Sequence, residues 1–281
     1  MSVKIIVDST VDMIPEAAAR VKVVPLTIHF GEKEYVSGVD IDSRRFYEML
    51  VESDVLPTTS QPTPFAFGEV FGEAVEAGDS VVCITIASKL SGTYQSANIA
   101  AADYPGRVFV VDSQTAAIGS GILAEYALQL ADQGMSAEEV AWKLMQKREK
   151  VRLLAMVDTL EYLKKGGRIS ATVAFAGGLL NIKPVITVTD GEIKMLGKAR
   201  GSKQANNLLV QEIQKAGGVD FSKPLLLGYT GLSDVLLRKY IEDSAALWQG
   251  SCEALPCTIV GSVVGTHAGP GAVAVAFFSA E

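Results

Sequence analysis

Hydroxyl side chains cluster at a point where an apolar stretch gives way to a helix-forming one. Residues 80–86 have the pattern of a buried strand, residues 88–96 contain Ser91 and Thr93, and an alanine-rich stretch follows. In an open parallel sheet such a junction lies at the carboxyl end of a strand, where ligand crevices form. The free N–H groups and the dipole of a helix start favour an anion there. The spacing indicates either an anion-binding turn or a plain helix cap by Ser91.

A second hydroxyl-rich turn occupies residues 58–64, where Thr58, Thr59 and Ser60 precede two prolines. Pro64 suits the first turn of a helix, because its missing N–H would have no partner there. Three neighbouring hydroxyls exceed what one helix cap requires. We therefore favour ligand contact over capping at this turn.

Two charged or titratable residues stand beside glycines. His267, one of two histidines, lies within the glycine-rich residues 265–271, where the backbone can approach a ligand closely. Arg168 follows a Gly-Gly pair, and its guanidinium suits a carboxylate or phosphate because it donates two parallel hydrogen bonds. The alternatives are a structural histidine and an arginine at an exposed helix end.

An aspartate pair near the N-terminus gives a competing hypothesis. Asp8 and Asp12 follow a strand-like run, as in enzymes with an aspartyl-phosphate intermediate, but Thr10 stands where that signature has a second Asp. We keep as an alternative a Mg²⁺-dependent small-molecule phosphatase or phosphotransferase that uses Asp8 and Asp12. Residues 119–124 and 191–199 nearly match a dinucleotide fingerprint and a P-loop, but each departs from the required spacing or residue types. We expect no ATP site, no metal site and no cofactor.

Composition limits the class of protein and its partners. The 281 residues are 48% hydrophobic and 20% charged, which is typical of a soluble chain with one large or two modest domains. A net charge of -7 argues against nucleic acid as a partner. Residues 143–203 nevertheless hold 13 of the 25 Lys and Arg residues, which indicates either a docking face for an acidic group or an ordinary solvated surface.

The cysteines and the apolar segments indicate the cellular compartment and the relation to membranes. Three cysteines form no paired framework, so we expect a reduced, cytoplasmic protein. Residues 259–278 are long and apolar enough to cross a bilayer, but glycines and His267 interrupt them. We therefore expect two core strands around a loop there, and no stable membrane insertion.

Strands and helices must alternate to position these residues. Three apolar runs end in Asp followed by a hydroxyl residue, at residues 8, 112 and 158. Helical patterns lie between these runs, at residues 43–52, 64–77, 93–102, 118–134 and 136–150. This order predicts an α/β fold with an N-terminal, mostly parallel sheet flanked by helices.

A mixed α/β unit follows. Strand patterns cover residues 181–188, 192–196, 225–230, 258–264 and 272–278, helical patterns cover 202–216 and 233–247, and Asp190-Gly191 is typical of a hairpin turn. We predict one domain over residues 1–157 and a second over residues 158–281. The cleft between them is the expected ligand site.

Seven motifs, spread in order over nearly the whole chain, resemble those of the DegV family. They lie at residues 7–9, 59–62, 90–93, 112–113, 166–169, 180–184 and 267–271. The resemblance implies a two-domain α/β protein that binds a long-chain fatty acid between its domains. It further implies the subunit of a bacterial fatty acid kinase that presents the acid to a separate, ATP-dependent kinase subunit. The chain would then be a lipid-binding protein without catalytic activity of its own, and we expect a monomer.

The resemblance also assigns roles by position in these motifs. Thr59, Ser91 and His267 match the residues that hold the carboxylate, and Arg168 matches an arginine near the pocket mouth that faces the kinase. The residues expected to support them are Ser60, Gly92, Thr93 and Thr266. The tail needs an apolar channel, and the apolar residues that follow the Arg168 loop are the expected lining: Ala174, Phe175, Ala176, Leu179 and Leu180.

Overall fold

The computed structural model describes residues 2–170, 181–248 and 254–280. The strands in these ranges are β1 (Val3–Asp8), β2 (Lys22–Val24), β3 (Thr27–Phe30), β4 (Lys33–Val36), β5 (Thr58–Ser60), β6 (Ser80–Thr85), β7 (Val108–Asp112), β8 (Val151–Met156), β9 (Ile182–Thr189), β10 (Glu192–Arg200), β11 (Leu226–Tyr229), β12 (Cys257–Ile259) and β13 (Val273–Phe278). The helices are α1 (Pro15–Ala18), α2 (Ser43–Glu52), α3 (Pro64–Glu76), α4 (Thr93–Ala101), α5 (Ala117–Asp132), α6 (Ala137–Lys147), α7 (Glu161–Lys165), α8 (Ser202–Lys215), α9 (Val235–Asp243), α10 (Ala245–Trp248) and α11 (Ser262–Ala268), and a 3₁₀ turn covers Arg148–Lys150.

A four-stranded parallel sheet forms the N-terminal part, in the order β2-β1-β6-β7. β1, β6 and β7 are mostly apolar and buried, because α3 and α4 pack on one face of the sheet and α5 and α6 on the other. The register pairs Val7 with Ile84 and Thr85 with Asp112, so the carboxyl ends of β1, β6 and β7 lie at one edge. The polar residues that close these strands therefore meet, and the predicted parallel sheet is confirmed.

A six-stranded mixed sheet has the order β10-β9-β8-β13-β11-β12. Its pairs are antiparallel except β11 with β12. Alternate residues point to opposite faces. One face, with Met156 and Val275, packs against α8, α9 and α10, whereas the other, with Leu153 and Ala274, faces α5. The predicted hairpin joins β9 to β10, where Asp190 and Gly191 both have positive φ.

A third sheet, β4-β3-β5, is antiparallel and has no counterpart in the sequence-based prediction. The interpretation of residues 58–60 as a turn is wrong, because Thr59 pairs with Ile28 in the centre of β5. A strand of three residues is too short to show periodicity, although threonine favours extended structure.

The prediction of a strand over residues 258–264 is confirmed for residues 258–259 and wrong for the rest. β12 ends at Ile259, and α11 begins at Ser262, so His267 lies on a helix and not in a loop. Packing explains the difference: a Cβ added at Gly265 would lie 2.5 Å from the Tyr47 hydroxyl oxygen and 2.9 Å from the Phe46 ring. The glycine that indicated a loop instead lets α11 approach α2 closely.

The halves of the chain are in contact through β8. This strand precedes the predicted boundary at residue 157, yet it lies between β9 and β13. The division into residues 1–157 and 158–281 stays a prediction. Within the described ranges, no helix has the length and apolar character needed to cross a membrane.

Candidate functional site

An apolar cavity lies between the carboxyl edge of the parallel sheet and the inner face of the six-stranded sheet. Most of its lining is apolar, with Leu26, Leu90, Leu153, Ile186, Val263 and Ala274 among the contributors. Polar side chains interrupt this lining, and they include Thr59, Ser91, Arg168 and His267. The cavity therefore suits an amphipathic molecule with a long apolar part and a small polar group.

Thr59 and His267 form the first polar pair. Thr59 is half-buried on β5, and its Oγ1 lies 3.0 Å from Nε2 of His267 on α11. The neighbours Thr58 and Ser60 point to the other side of β5 and are exposed. Ser60 Oγ lies 2.7 Å from His29 Nε2, and Ser60 does not line the cavity.

Burial keeps His267 neutral at physiological pH. Burial, together with the nearby positive charge of Arg168, lowers the pKa of His267 to about 4. Nδ1 has no hydrogen-bond partner among the residues that the structure describes. Gly166 makes room for it, since a Cβ at that position would lie 2.2 Å from Nδ1. When Nε2 carries the proton, it donates to Thr59 Oγ1 and leaves the Thr59 hydroxyl free to donate into the cavity.

Ser91 lines the cavity at the start of α4. Its Oγ lies 2.9 Å from Thr93 Oγ1 and accepts a hydrogen bond from the Thr93 N–H at 3.4 Å. Thr93 is fully buried and does not line the cavity, so its contact with this site is through Ser91. The N-cap position belongs to Gly92, so Ser91 both accepts from the first N–H of α4 and presents its hydroxyl to the cavity.

Gly92 allows the Thr59 and Ser91 segments to approach each other. A Cβ added to Gly92 would lie 2.1 Å from Gln61 Oε1, so a larger residue would displace the end of the Gln61 side chain. Gln61 Nε2 donates to Ser96 Oγ at 3.0 Å, which joins the end of β5 to α4. Sequence reasoning gave Gln61 no role of its own, because the contact joins segments that lie 35 residues apart.

Arg168 joins the α7 loop to the Ser91 turn. Its Nε donates to the Leu90 carbonyl at 3.1 Å, and its Nη1 donates to the Gly166 carbonyl at 2.6 Å. Gly167 precedes it with a φ of 71°, a left-handed conformation that glycine adopts without strain. The guanidinium is half-buried beside Ser91 and places a positive charge at the polar end of the cavity.

The aspartates of the alternative hypothesis are buried and hydrogen-bonded. Asp8 accepts from the Thr10 N–H and hydroxyl at one carboxylate oxygen and from the Ile86 N–H, at 2.8 Å, at the other. Burial raises its pKa even though these bonds oppose the shift. Because both oxygens are engaged and the side chain is 0% exposed, Asp8 is not placed to attack a phosphoryl group. Its bonds instead fix the chain around Thr10 and Ile86, two residues that line the cavity.

Asp12 supports α11. Its Oδ1 accepts from the Gly261 N–H at 2.7 Å, immediately before the helix that carries His267, and burial raises its pKa to about 8. Oδ2 has no partner within the described part of the chain. In the same ranges, no group of three or more His, Cys, Asp or Glu side chains is placed to hold a metal ion. The geometry therefore gives the aspartate-based phosphatase no support.

The structure brings Thr59, Ser91, Arg168 and His267 to one cavity. Thr266 is buried, and its hydroxyl donates to the Ser262 carbonyl at 3.0 Å, so it stabilises α11 without lining the cavity. The tail-lining residues proposed from the sequence, Ala174, Phe175, Ala176, Leu179 and Leu180, lie outside the described residues.

Comparison with a family model and with known proteins identifies the relatives of this chain. The family model described as "Uncharacterised protein, DegV family" matches residues 2–280. The chain belongs to the DegV family. A DegV domain-containing protein of Caldanaerobacter subterraneus subsp. tengcongensis is 37% identical over 281 residues, which cover 98% of each chain.

Two solved structures superpose on this chain over almost their full length. A fatty-acid-binding DegV family protein from Thermus thermophilus has 34% identity and a TM-score of 0.87, with 99% of this chain and 100% of that one covered. The fatty acid kinase (Fak) B3 protein of Streptococcus pneumoniae, solved with linoleic acid, has 27% identity and a TM-score of 0.85, with 99% of each chain covered. The predicted α/β fold class is thus that of the DegV structures.

Proposed function

We propose that this DegV family protein binds a long-chain fatty acid, with its carboxylate at Thr59, Ser91 and His267 and its tail in the apolar cavity. The observation that carries the proposal is the meeting of these three side chains at one apolar cavity, although they come from separate sheets and helices. The Thermus thermophilus relative, which binds fatty acid and shares the fold, supports it.

The polar end suits a carboxylate. The hydroxyls of Thr59 and Ser91 donate to it, and neutral His267 fixes the direction of the Thr59 hydroxyl by donating from Nε2. Each hydrogen bond to a charged group contributes about 1.5–3 kcal/mol. Arg168 lies beside these donors and makes the local potential favourable for an anion.

The apolar lining supplies most of the affinity. Burial of about 14 methylenes at about 0.8 kcal/mol each gives an upper limit near 11 kcal/mol, before the entropic costs of binding. The hydroxyls therefore set the orientation of the acid, and the tail sets how tightly it is held. No metal or other cofactor is needed for this role.

The same site would present the carboxylate to a separate ATP-dependent kinase subunit, which forms the acyl phosphate. The relationship to the Streptococcus pneumoniae fatty acid kinase B3 protein supports this part of the proposal. Lys164 and Lys165 are exposed on α7, and Arg168 follows them at the polar end of the cavity, so this edge suits contact with the kinase. In this scheme the chain itself is not an enzyme, and it acts in the cytoplasm as a monomer until the kinase binds.

Mass spectrometry tests the binding step directly. The mass of the purified protein is measured under native conditions, and the protein is then denatured and extracted with organic solvent. We expect the wild type to release one equivalent of fatty acid. The Thr59→Val/Ser91→Ala double variant should carry far less. A wild-type mass equal to that of the bare chain, unchanged after incubation with saturated and unsaturated fatty acids, would overturn the proposal.

A further inference from the structure

Two alanines lie side by side on the wall of the cavity. Ala155 of β8 is directly opposite Ala274 of β13 in the register of the six-stranded sheet, and both line the cavity. On the other side of β8, Ala155 is opposite Ile186, which also lines the cavity. Side chains opposite each other on neighbouring strands have Cβ atoms about 4.5–5.5 Å apart. The two methyl groups therefore leave a shallow recess in the wall.

The recess occurs on one face only. The adjacent residues Leu154, Met156, Val273 and Val275 point to the opposite face and are 2% exposed or less. Ala155 is instead partly exposed, although its strand lies between β9 and β13. Because strands flank it on both sides, this exposure is to the cavity.

The register shows where the recess lies along the cavity. Val157, Ala155 and Leu153 line the wall in succession, at intervals of about 6.6 Å for alternate residues of a strand. The Val157 end is next to the polar residues, because the chain continues from it into α7 and Gly166, which lies against His267. The alanine pair is therefore beyond the carboxylate end, on the path to Leu153.

We propose that the Ala155–Ala274 pair determines the length of acyl chain that this protein accepts. The inference rests on the proposed fatty-acid binding and adds the structural feature that selects among fatty acids. Small side chains at both positions let the tail pass the middle of the wall and reach Leu153. A larger side chain at either position fills the recess and confines the tail to the space next to the carboxylate site, which favours shorter acids.

A graded series of substitutions tests the pair. Affinities for saturated acids from decanoic to stearic are measured for the wild type, Ala155→Val, Ala155→Leu and Ala274→Leu. Each methylene kept out of the cavity weakens binding about fourfold. We therefore expect Ala155→Leu to weaken stearic acid binding by about tenfold or more and to leave decanoic acid binding nearly unchanged. The affinity of Ala155→Val for stearic acid should lie between those of Ala155→Leu and the wild type.

Ala18→Leu is the matched control, because Ala18 is exposed on α1 and the same volume is added far from the cavity wall. If Ala155→Leu does not fold, as judged by circular dichroism, Ala155→Val and Ala274→Val carry the same comparison with less added volume. An unchanged order of chain-length preference in folded variants would overturn the inference while leaving fatty-acid binding intact. A wild type that binds no acid in the series would instead overturn the proposed function.

Discussion

Replacement of Thr59 by valine isolates the contribution of one hydroxyl. Valine keeps the volume and the β-branched shape that suit β5, so the strand pairing with Ile28 is retained. The substitution removes the partner of His267 Nε2, which lies 3.0 Å from Thr59 Oγ1. In the proposed complex it also removes one donor to the carboxylate. The loss of a hydrogen bond to a charged group costs about 1.5–3 kcal/mol, or roughly 10-fold to 150-fold in the dissociation constant.

Binding is measured by displacement of a fluorescent fatty acid, and the fold is checked by thermal unfolding. Thr58→Val is the matched control, since Thr58 is the preceding residue of the same strand and its side chain is exposed on the other face. We expect Thr58→Val to bind like the wild type. If Thr59→Val also binds with wild-type affinity and unfolds at the same temperature, Thr59 does not hold the carboxylate and the assignment of the polar end is refuted.

Two other outcomes follow from the site. The pKa of Asp12 is raised from 3.8 in the unfolded chain to about 8, so the folded state keeps a proton that the unfolded state releases. The free energy of unfolding should therefore fall as pH rises from about 4 to about 8, by up to about 1.4 kcal/mol per unit from this group. Asp12→Asn retains an acceptor for the Gly261 N–H and should flatten the dependence measured by urea unfolding; a slope equal to the wild type's would contradict the burial argument. Arg168→Ala should still bind fatty acid, but the separate kinase subunit should phosphorylate the bound acid more slowly in the presence of ATP. Lys22→Ala, on β2, is the control. If both variants are phosphorylated at the same rate, Arg168 does not contact the kinase.

The sequence predicts the fold best where strands are long and end in recognisable residues. β1, β6 and β7 are apolar runs that end in polar residues, and their parallel pairing is confirmed. β5 is not predicted, because a strand of three residues is too short to show an alternation of apolar and polar side chains. α11 escapes prediction because residues 258–264 are rich in β-branched residues, and the packing of Gly265 on Tyr47 overrides that local preference.

The candidate site shows the same division between local and distant information. Each hydroxyl-rich motif is visible in the sequence, and the family resemblance indicates which residues belong together. The contact of Thr59 with His267 spans 208 residues, and that of Asp12 with Gly261 spans 249, so neither follows from local spacing. The roles of Gln61 and Gly92 depend equally on a close approach of two segments, which only the folded chain reveals.

The position of β13 has a consequence for how the protein is made on the ribosome. β13 follows the other described strands along the chain, yet it lies between β8 and β11 in the sheet. Until residues 273–278 have been synthesised, the group β10-β9-β8 and the pair β11-β12 lack the strand that joins them, and the wall formed by Ala155 and Ala274 is missing. A nascent chain that ends before residue 273 therefore has no complete cavity, and under the proposed function it can bind fatty acid only after β13 has left the exit tunnel.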